Sequence, residues 1–560
     1  MRFGRTATGL LWVFLEGCCL VGTHDVVIRN GMIYDGSGRP PARGDVVIDA
    51  DRIAAVVPSA GCRGRVDIDA CGLAVAPGFI NRLSWANESL IADGRSQSDI
   101  RQGVTLEVLG EGRSMGPLTE EMKQELRRRQ EDVRYEIAWT TLGEYLEWLE
   151  RRGVSCNVTS FVGATTVRVH EIGYENRPPT PEELERMRQL VRQAMEEGAV
   201  GVSSSLIYVP ACFAGTDELV ALAEVAAAYD GLYISHIRSE GARIFEAIDE
   251  FLTIARKARV RAEIYHIKVS GRDNWHKMDR VFEIIEAAQA EGLAVTADMY
   301  TYHASATGLD AVMPSWVQEG GHEAWVRRLR DPEIRQRVRA EMRFPKGDTD
   351  VGLGSVGSAA NVLLVGFRNP ALRHLTGKSL ADVAAMRGRS PEDTAMDLVI
   401  EDDSRVGAVF FSMSEEHVRK EIRRPWISFC SDSASLAPEG AFLNRNPHPR
   451  AYGSFARLLG RYVRDEKLIP LEEAIRRLTS FPAENLRLAA RGWLAPGYYA
   501  DLVVFDPATV RDLATFEQPH RYAVGVRDVF VNGVAVLRAG RHTGARPGRF
   551  VRGPGYRGPR

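Results

Sequence analysis

Two histidines stand at the ends of two successive apolar runs. His236 closes Leu232-Tyr233-Ile234-Ser235-His236, and His266 closes Ala262-Glu263-Ile264-Tyr265-His266. Other ligand-type residues end similar runs: Glu111 after residues 103–110, Asp298 within residues 294–300, and Asp432 after residues 426–431. Imidazole nitrogen and carboxylate oxygen are donors that zinc accepts, and a catalytic zinc site keeps one position for water. A bound divalent ion makes hydroxide accessible near neutral pH, and a carboxylate beside it can carry the proton to a leaving nitrogen. Asp432, within Ser431-Asp432-Ser433, suits that task. Taken singly, each residue has a plainer reading. A lone strand-end histidine is a hydrogen-bonded structural residue, Asp432 is a turn or helix-capping aspartate, and Glu111, between two glycines, is a loop carboxylate. Two histidines at successive strand ends turn the balance toward a metal hydrolase.

Such residues meet only if their strands share one end. Between residues 73 and 432 buried strand patterns alternate with amphipathic helices. Helices are expected over 181–197, 216–229, 241–259 and 278–291, each followed by a strand. Repeated βα units imply a parallel sheet, and a run this long favours a closed (β/α)8 TIM-type barrel, whose active sites form at the C-terminal strand ends. Residues 73–80 read as one buried strand. Residues 25–57 read as strands and hairpins, with a turn at Asn30-Gly31, and residues 500–506 and 526–536 echo them at the other end. One small β domain built from both chain ends is the simplest account. The expected division is 25–75 with 486–560 for that domain and 76–485 for the barrel. An insertion of charged helix and Gly/Ser-rich chain over about 314–375 reads either as a cover for the barrel mouth or as an ordinary surface elaboration.

At 560 residues the chain exceeds one hydrophobic core. A net charge of −2 implies no nucleic-acid or polyanion partner. Seven cysteines show no CxxC pair, which points to free thiols rather than a disulfide framework. Arg2, Arg5, a short apolar run at residues 9–15 and Gly17-Cys18 give residues 1–24 the shape of a signal or lipoprotein leader, though the run is short and Glu16 is ill placed. Exported and cytoplasmic locations both stay open. No transmembrane segment is expected. No G-x-G-x-x-G opens a helix after a strand, and no P-loop occurs. Arg127-Arg128-Arg129 reads as a solvated helix face, and the arginines of residues 546–560 as an exposed tail.

The ordered motifs resemble the N-acyl-D-amino-acid deacylase (D-aminoacylase) family of the amidohydrolase superfamily. They are DVVIRNGMIYDGSG at 25–38, APGFI at 76–80, QGVT at 102–105, SHIRSEG at 235–241, HIKVS at 266–270, DMYTYHASATGL at 298–309, CSDS at 430–433, HPRAYG at 448–453 and HTGARPGR at 542–549. The resemblance implies a barrel joined to a β-sandwich from both ends, and zinc-dependent hydrolysis of the amide of N-acyl-D-amino acids, small molecules. It implies that His236 and His266 are metal ligands, that Asp432 is the general acid/base, and that Lys268, Tyr300 and Arg450 hold the substrate. The planar fork of an arginine suits a carboxylate.

Two departures touch the metal. The usual H-x-H pair after PGFI is replaced by Leu83-Ser84-Trp85, and the usual cysteine ligand at the second strand is missing from Gly110-Glu111-Gly112-Arg113-Ser114-Met115. The favoured reading is one zinc ion per chain on Glu111, His236 and His266, since carboxylate is an acceptable if harder replacement for thiolate. The others are two histidines binding metal with another group in place of Glu111, and a relative that has lost hydrolysis and only binds small molecules. A related amidohydrolase acting on cyclic amides or D-residue dipeptides is the alternative enzyme. Oligomeric state is not readable from the sequence.

Overall fold

The computed structural model describes residues 22–344 and 352–558. Most of the expected leader, with Cys18 and Cys19, lies outside the described residues. The two chain ends form one nine-stranded sheet. Thr23–Ile33 pairs antiparallel with Ala42–Asp49 and parallel with Arg63–Asp69 and Ala74–Pro77. The C-terminal strands join through Leu502–Phe505, antiparallel to Ala74–Pro77 with Leu502 opposite Pro77. Val526–Val531, Val534–Arg538 and Arg541–His542 continue outward. Side chains alternate between strand faces. Leu502 and Val504 therefore enter the sheet's own core with Val26, Ile28, Ile48 and Phe530, whereas Val503 and Phe505 pack toward the barrel. Hydrogen bonding continues through strand Thr23–Ile33, which pairs with three strands and shifts register between Ile28 and Gly31, so the two chain ends build the one small β domain that was expected.

Residues 73–80 are two strands, not the single strand expected. Ala74–Pro77 belongs to the end sheet and Phe79–Asn81 opens the barrel. They part at Gly78, where a Cβ would lie 2.1 Å from the Thr105 hydroxyl. Only glycine lets the chain pass between the two units at that point.

Eight strands make the barrel: β1 (Phe79–Asn81), β2 (Val104–Leu109), β3 (Asn157–Ser160), β4 (Gly201–Ser205), β5 (Leu232–His236), β6 (Arg261–Ile264), β7 (Val295–Met299) and β8 (Ile427–Phe429). Pairing is parallel within β1–β3 and within β4–β8. Val200 N–H donates to Ser160 O at 3.1 Å between β3 and β4, and Asp432 N–H donates to Leu83 O at 2.9 Å just beyond β8 and β1. Ile80, Leu106, Val108, Phe161, Leu232 and Ile234 fill the interior. Arg82 and Glu263, both fully buried, pair across it with Nη2–Oε2 at 2.6 Å. Thr296 Oγ1–H donates a further hydrogen bond to Glu263 at 3.0 Å, while Arg82 Nη1 makes no hydrogen bond.

The helices fall where periodicity put them. Pro181–Glu197 starts with a Thr180–Glu183 capping box and Pro181 at its first position, and stops at Gly198 in the left-handed region. The insertion is larger than the 314–375 expected. It runs from strand Ser305–Gly308 to strand Gly407–Phe410, which pairs antiparallel with both Ser305–Gly308 and Val362–Gly366. Its core of Leu309, Val338, Leu364, Leu398 and Phe410 is separate from that of the barrel. The C-terminal arginines are not a free tail. Val551 N–H donates to Val158 O at 2.8 Å, Phe550 is buried, and Arg549 pairs with Asp51 at 2.6 Å. Cys62, Cys71, Cys156 and Cys430 form no disulfide. No helix among the described residues is long and apolar enough to cross a membrane.

Candidate metal centre and active site

Glu111, His236 and His266 converge at the C-terminal ends of β2, β5 and β6, all three buried. Glu111 Oε1 lies 3.0 Å from His236 Nδ1 and 3.2 Å from His266 Nε2. Zinc bonds of about 2.0–2.2 Å at tetrahedral angles set donor atoms about 3.3 Å or slightly more apart. The observed separations match that spacing within a few tenths of an ångström, so the donor set fits a zinc ion. Among the described residues no other three histidines, cysteines or acids come this close together. Burial opposes the charge on Glu111, yet the two imidazoles hold its carboxyl well below the usual range.

Glu240 closes the other side of the imidazoles, and the sequence reading missed it. Its Oε1 is 3.2 Å from His266 Nδ1 and 3.4 Å from His236 Nε2. Each imidazole thus has one nitrogen toward Glu111 and the other toward Glu240. A carboxylate behind a ligating histidine fixes its tautomer and raises its basicity. Burial again opposes the charge, and Lys268 and the two histidines hold Glu240 well below the usual range. The available signal was position, since Glu240 follows His236 by four residues within SHIRSEG. His266 sits at φ +33, a conformation rare for non-glycine residues, and its N–H donates to Asp298 Oδ1 at 2.7 Å. Asp298 stays out of the donor group and supports this backbone instead.

Asp432 follows β8 at the same end of the barrel, also in the left-handed region at φ +47. Its two oxygens are separately engaged. Trp85 Nε1–H donates to Oδ1 at 3.0 Å, and Arg450 Nη1 lies 2.7 Å from Oδ2. That second contact is close, but Nη1 makes no aligned hydrogen bond. The Arg450 guanidinium stands 4.5 Å over the Tyr300 ring. Its backbone N–H donates to His448 Nδ1 at 3.0 Å, while His448 Nε2 reaches Ala304 O at 3.0 Å, which fixes the His448 tautomer. Tyr300 is buried, its hydroxyl donates to Met413 Sδ at 3.2 Å, and burial pushes that hydroxyl well above its ordinary range. Lys268, expected at the substrate, lies 2.5 Å from Glu240 Oε1 and 2.8 Å from His266 Nδ1. The insertion reaches this mouth through Tyr208. Its hydroxyl is 2.9 Å from Thr307 Oγ1, its ring lies edge-on to His236, and Arg405 covers its face.

A parallel barrel with a three-donor metal group at its open end, and a carboxylate facing it, defines the class of metal-dependent barrel hydrolases. Residues 102–537 match the model described as "Amidohydrolase family". The chain is 32% identical over 531 residues to the D-aminoacylase of Alcaligenes xylosoxydans xylosoxydans, covering 94% of this chain and 97% of that protein. A crystal structure of N-acyl-D-glutamate deacylase from Bordetella bronchiseptica, complexed with zinc and a phosphonate that mimics the tetrahedral intermediate, is 30% identical. It superposes with a TM-score of 0.78 over 95% of this chain and all of that one. A D-aminoacylase structure concerned with its binuclear metal centre, one-metal activation and second-metal attenuation is 32% identical, with a TM-score of 0.79 over 94% of this chain and all of that one. The chain belongs to the amidohydrolase family, among its N-acyl-D-amino-acid deacylases.

Proposed function

We propose that this enzyme hydrolyses the amide bond of N-acyl-D-amino acids, releasing a D-amino acid and a carboxylate. A single zinc ion is held by Glu111, His236 and His266, with Asp432 as general acid/base and Lys268, Tyr300 and Arg450 at the substrate. The observation that carries the reading is the meeting of Glu111 Oε1 with two imidazole nitrogens at 3.0 and 3.2 Å, at the barrel end where Asp432 follows β8. Bound zinc supplies a Lewis acid that acidifies water and polarises a carbonyl. Asp432 takes the proton of the attacking water and delivers it to the leaving nitrogen. Arg450, close to Asp432 but not in an aligned bond, turns part of its fork to the substrate carboxylate. The Tyr300 ring beneath it sets the plane of that fork. Lys268 has its charge balanced by Glu240, so it orients His266 as well as facing the substrate. The one-ion count is supported by Leu83-Ser84-Trp85, which offers neither imidazole nor carboxylate beside the first strand.

Elemental analysis of wild type and Glu111→Ala, paired with turnover of a panel of N-acyl-D- and N-acyl-L-amino acids, tests this. The expected result is one zinc per chain and D-selective turnover, both lost in the variant. A wild type that cannot be loaded with zinc, or that prefers the L series, overturns it.

A further inference from the structure

We propose that Trp85 is a positioning residue for Asp432: its indole N–H reserves Oδ1, so that Oδ2 is the oxygen that carries the proton. The proposal rests on Asp432 as proton carrier. Three observations support it. First, the backbones of the two residues are laced together. Asp432 N–H donates to Leu83 O and Trp85 N–H donates to Ser433 O, each at 2.9 Å, around a parallel bridge between Ser84 and Ser433. The backbones that carry the indole and the carboxylate are therefore held side by side independently of the side-chain bond. Second, indole Nε1–H is a donor only, with no acceptor and no metal-binding lone pair. At 3.0 Å from Oδ1 it makes a charge-assisted hydrogen bond, and a proton on Oδ1 would remove the charge that strengthens it, which leaves Oδ2 the favoured site for the proton. Third, Arg450 stands beside Oδ2, 2.7 Å away and unaligned. A guanidinium so placed can move to a substrate carboxylate and free Oδ2 toward the centre.

The proton balance is closed. The water O–H bond breaks as Oδ2–H forms and the water oxygen bonds to the acyl carbon, whose carbonyl π pair moves onto its oxygen; Oδ2–H then breaks as N–H forms, the carbonyl re-forms, the C–N bond breaks to release the amine, and the Asp432 carboxylate is regenerated. Trp85 keeps the carboxylate plane from rotating between the two transfers.

Trp85 is 38% exposed, so part of its ring also faces the mouth. Trp85→Phe alone would mix loss of the N–H with loss of apolar surface. The cleaner replacement is 3-benzothienylalanine at position 85, which keeps the bicyclic shape and puts sulfur in place of the N–H. In the zinc-loaded full chain, both variants should lower kcat roughly 10- to 100-fold, the loss of one hydrogen bond to a charged group. For the benzothienyl variant KM should stay within about twofold, the pattern of an interaction used only in the transition state. Zinc content should stay as in the wild type. Unchanged kcat in the benzothienyl variant, while Asp432→Asn abolishes turnover, overturns the role of Trp85 alone. Loss of zinc, or a rise in KM that accounts for the whole effect, also overturns it. Full turnover by Asp432→Asn defeats the reading of Asp432 itself.

Discussion

The two sides of the barrel mouth are built on opposite electrostatic plans. On the β2, β5 and β6 side, two carboxylates bracket two imidazoles, and donors converge on one point with Glu111 Oε1 at the centre. On the β1 and β8 side, a single carboxylate is met by an indole N–H and a guanidinium, one on each oxygen. The first side has donor atoms to spare and fits a cation. The second is already balanced and suits a proton that comes and goes. Both sides place a residue in the left-handed backbone region, His266 and Asp432. Such conformations cost energy and persist where the surrounding structure holds them. Here Asp298 holds the first, and the hydrogen bond to Leu83 O holds the second.

The largest expected effect breaks the cation side. Glu111→Ala should remove zinc and lower kcat/KM by about a thousandfold or more, since the metal's role in activating water goes with it. Glu111→Cys should recover zinc, because thiolate is at least as good a donor. Elemental analysis and turnover read both. Zinc retained in the alanine variant would show that two histidines suffice with another group. Next is the proton side. Asp432→Asn keeps size and shape but cannot accept the proton, so kcat should fall about 10²- to 10⁴-fold with zinc content unchanged. If zinc leaves with Asp432, the two sides are one site and the contrast between them fails.

How much of this was legible in the sequence follows from how local each signal is. His236 and His266 end short apolar runs, and a strand of fixed direction carries its last residue to the same barrel end as its neighbours, so their meeting could be read. Glu111 was legible as the odd carboxylate in Gly110-Glu111-Gly112. Glu240 was not, because its approach to both imidazoles depends on a loop that bends back after β5. Trp85 carried no signal beyond the absence of a histidine, since an indole donates to whatever the fold puts beside it. Residues 73–80 misled because a continuous apolar run does not reveal that Gly78 must pass against Thr105. The insertion ran long because its strand Gly407–Phe410 and the helix before it, Pro391–Asp402, have the same alternation as a barrel unit. The C-terminal arginines looked solvated because pairing with Asp51 and Glu147 spans about the whole chain.

Glu240→Gln sharpens the comparison from behind the imidazoles. The amide keeps the shape and loses the charge that balances Lys268 and steadies His266. Zinc affinity should weaken about 10- to 100-fold, the usual cost of removing such a partner, with a smaller loss of kcat in zinc-saturated enzyme. Competition with a chelator measures the first and saturating assays the second. Unchanged affinity would make Glu240 a partner of Lys268 only.

The smallest effect concerns a carboxyl that neither plan includes. Glu421, on helix Glu415–Ile422, is 1% exposed, and neither of its oxygens has a hydrogen-bond partner. Burial pushes it up to about 8, against the pull of Lys268. Its folded value therefore lies above its unfolded one, and the folded chain binds the proton more tightly. Stability should be highest below the unfolded value and fall as pH rises toward 8, because only the unfolded chain ionises in that window. Glu421→Gln keeps the volume without the titration. The variant should gain stability over the wild type as pH is raised, by about 4 kcal/mol at pH 8, and lose most of the advantage at about pH 5. Urea midpoints at the two pH values read the difference. A constant difference at both would mean that Glu421 finds a partner when ionised, and Lys268, already shared between Glu240 and His266, would be the group to examine.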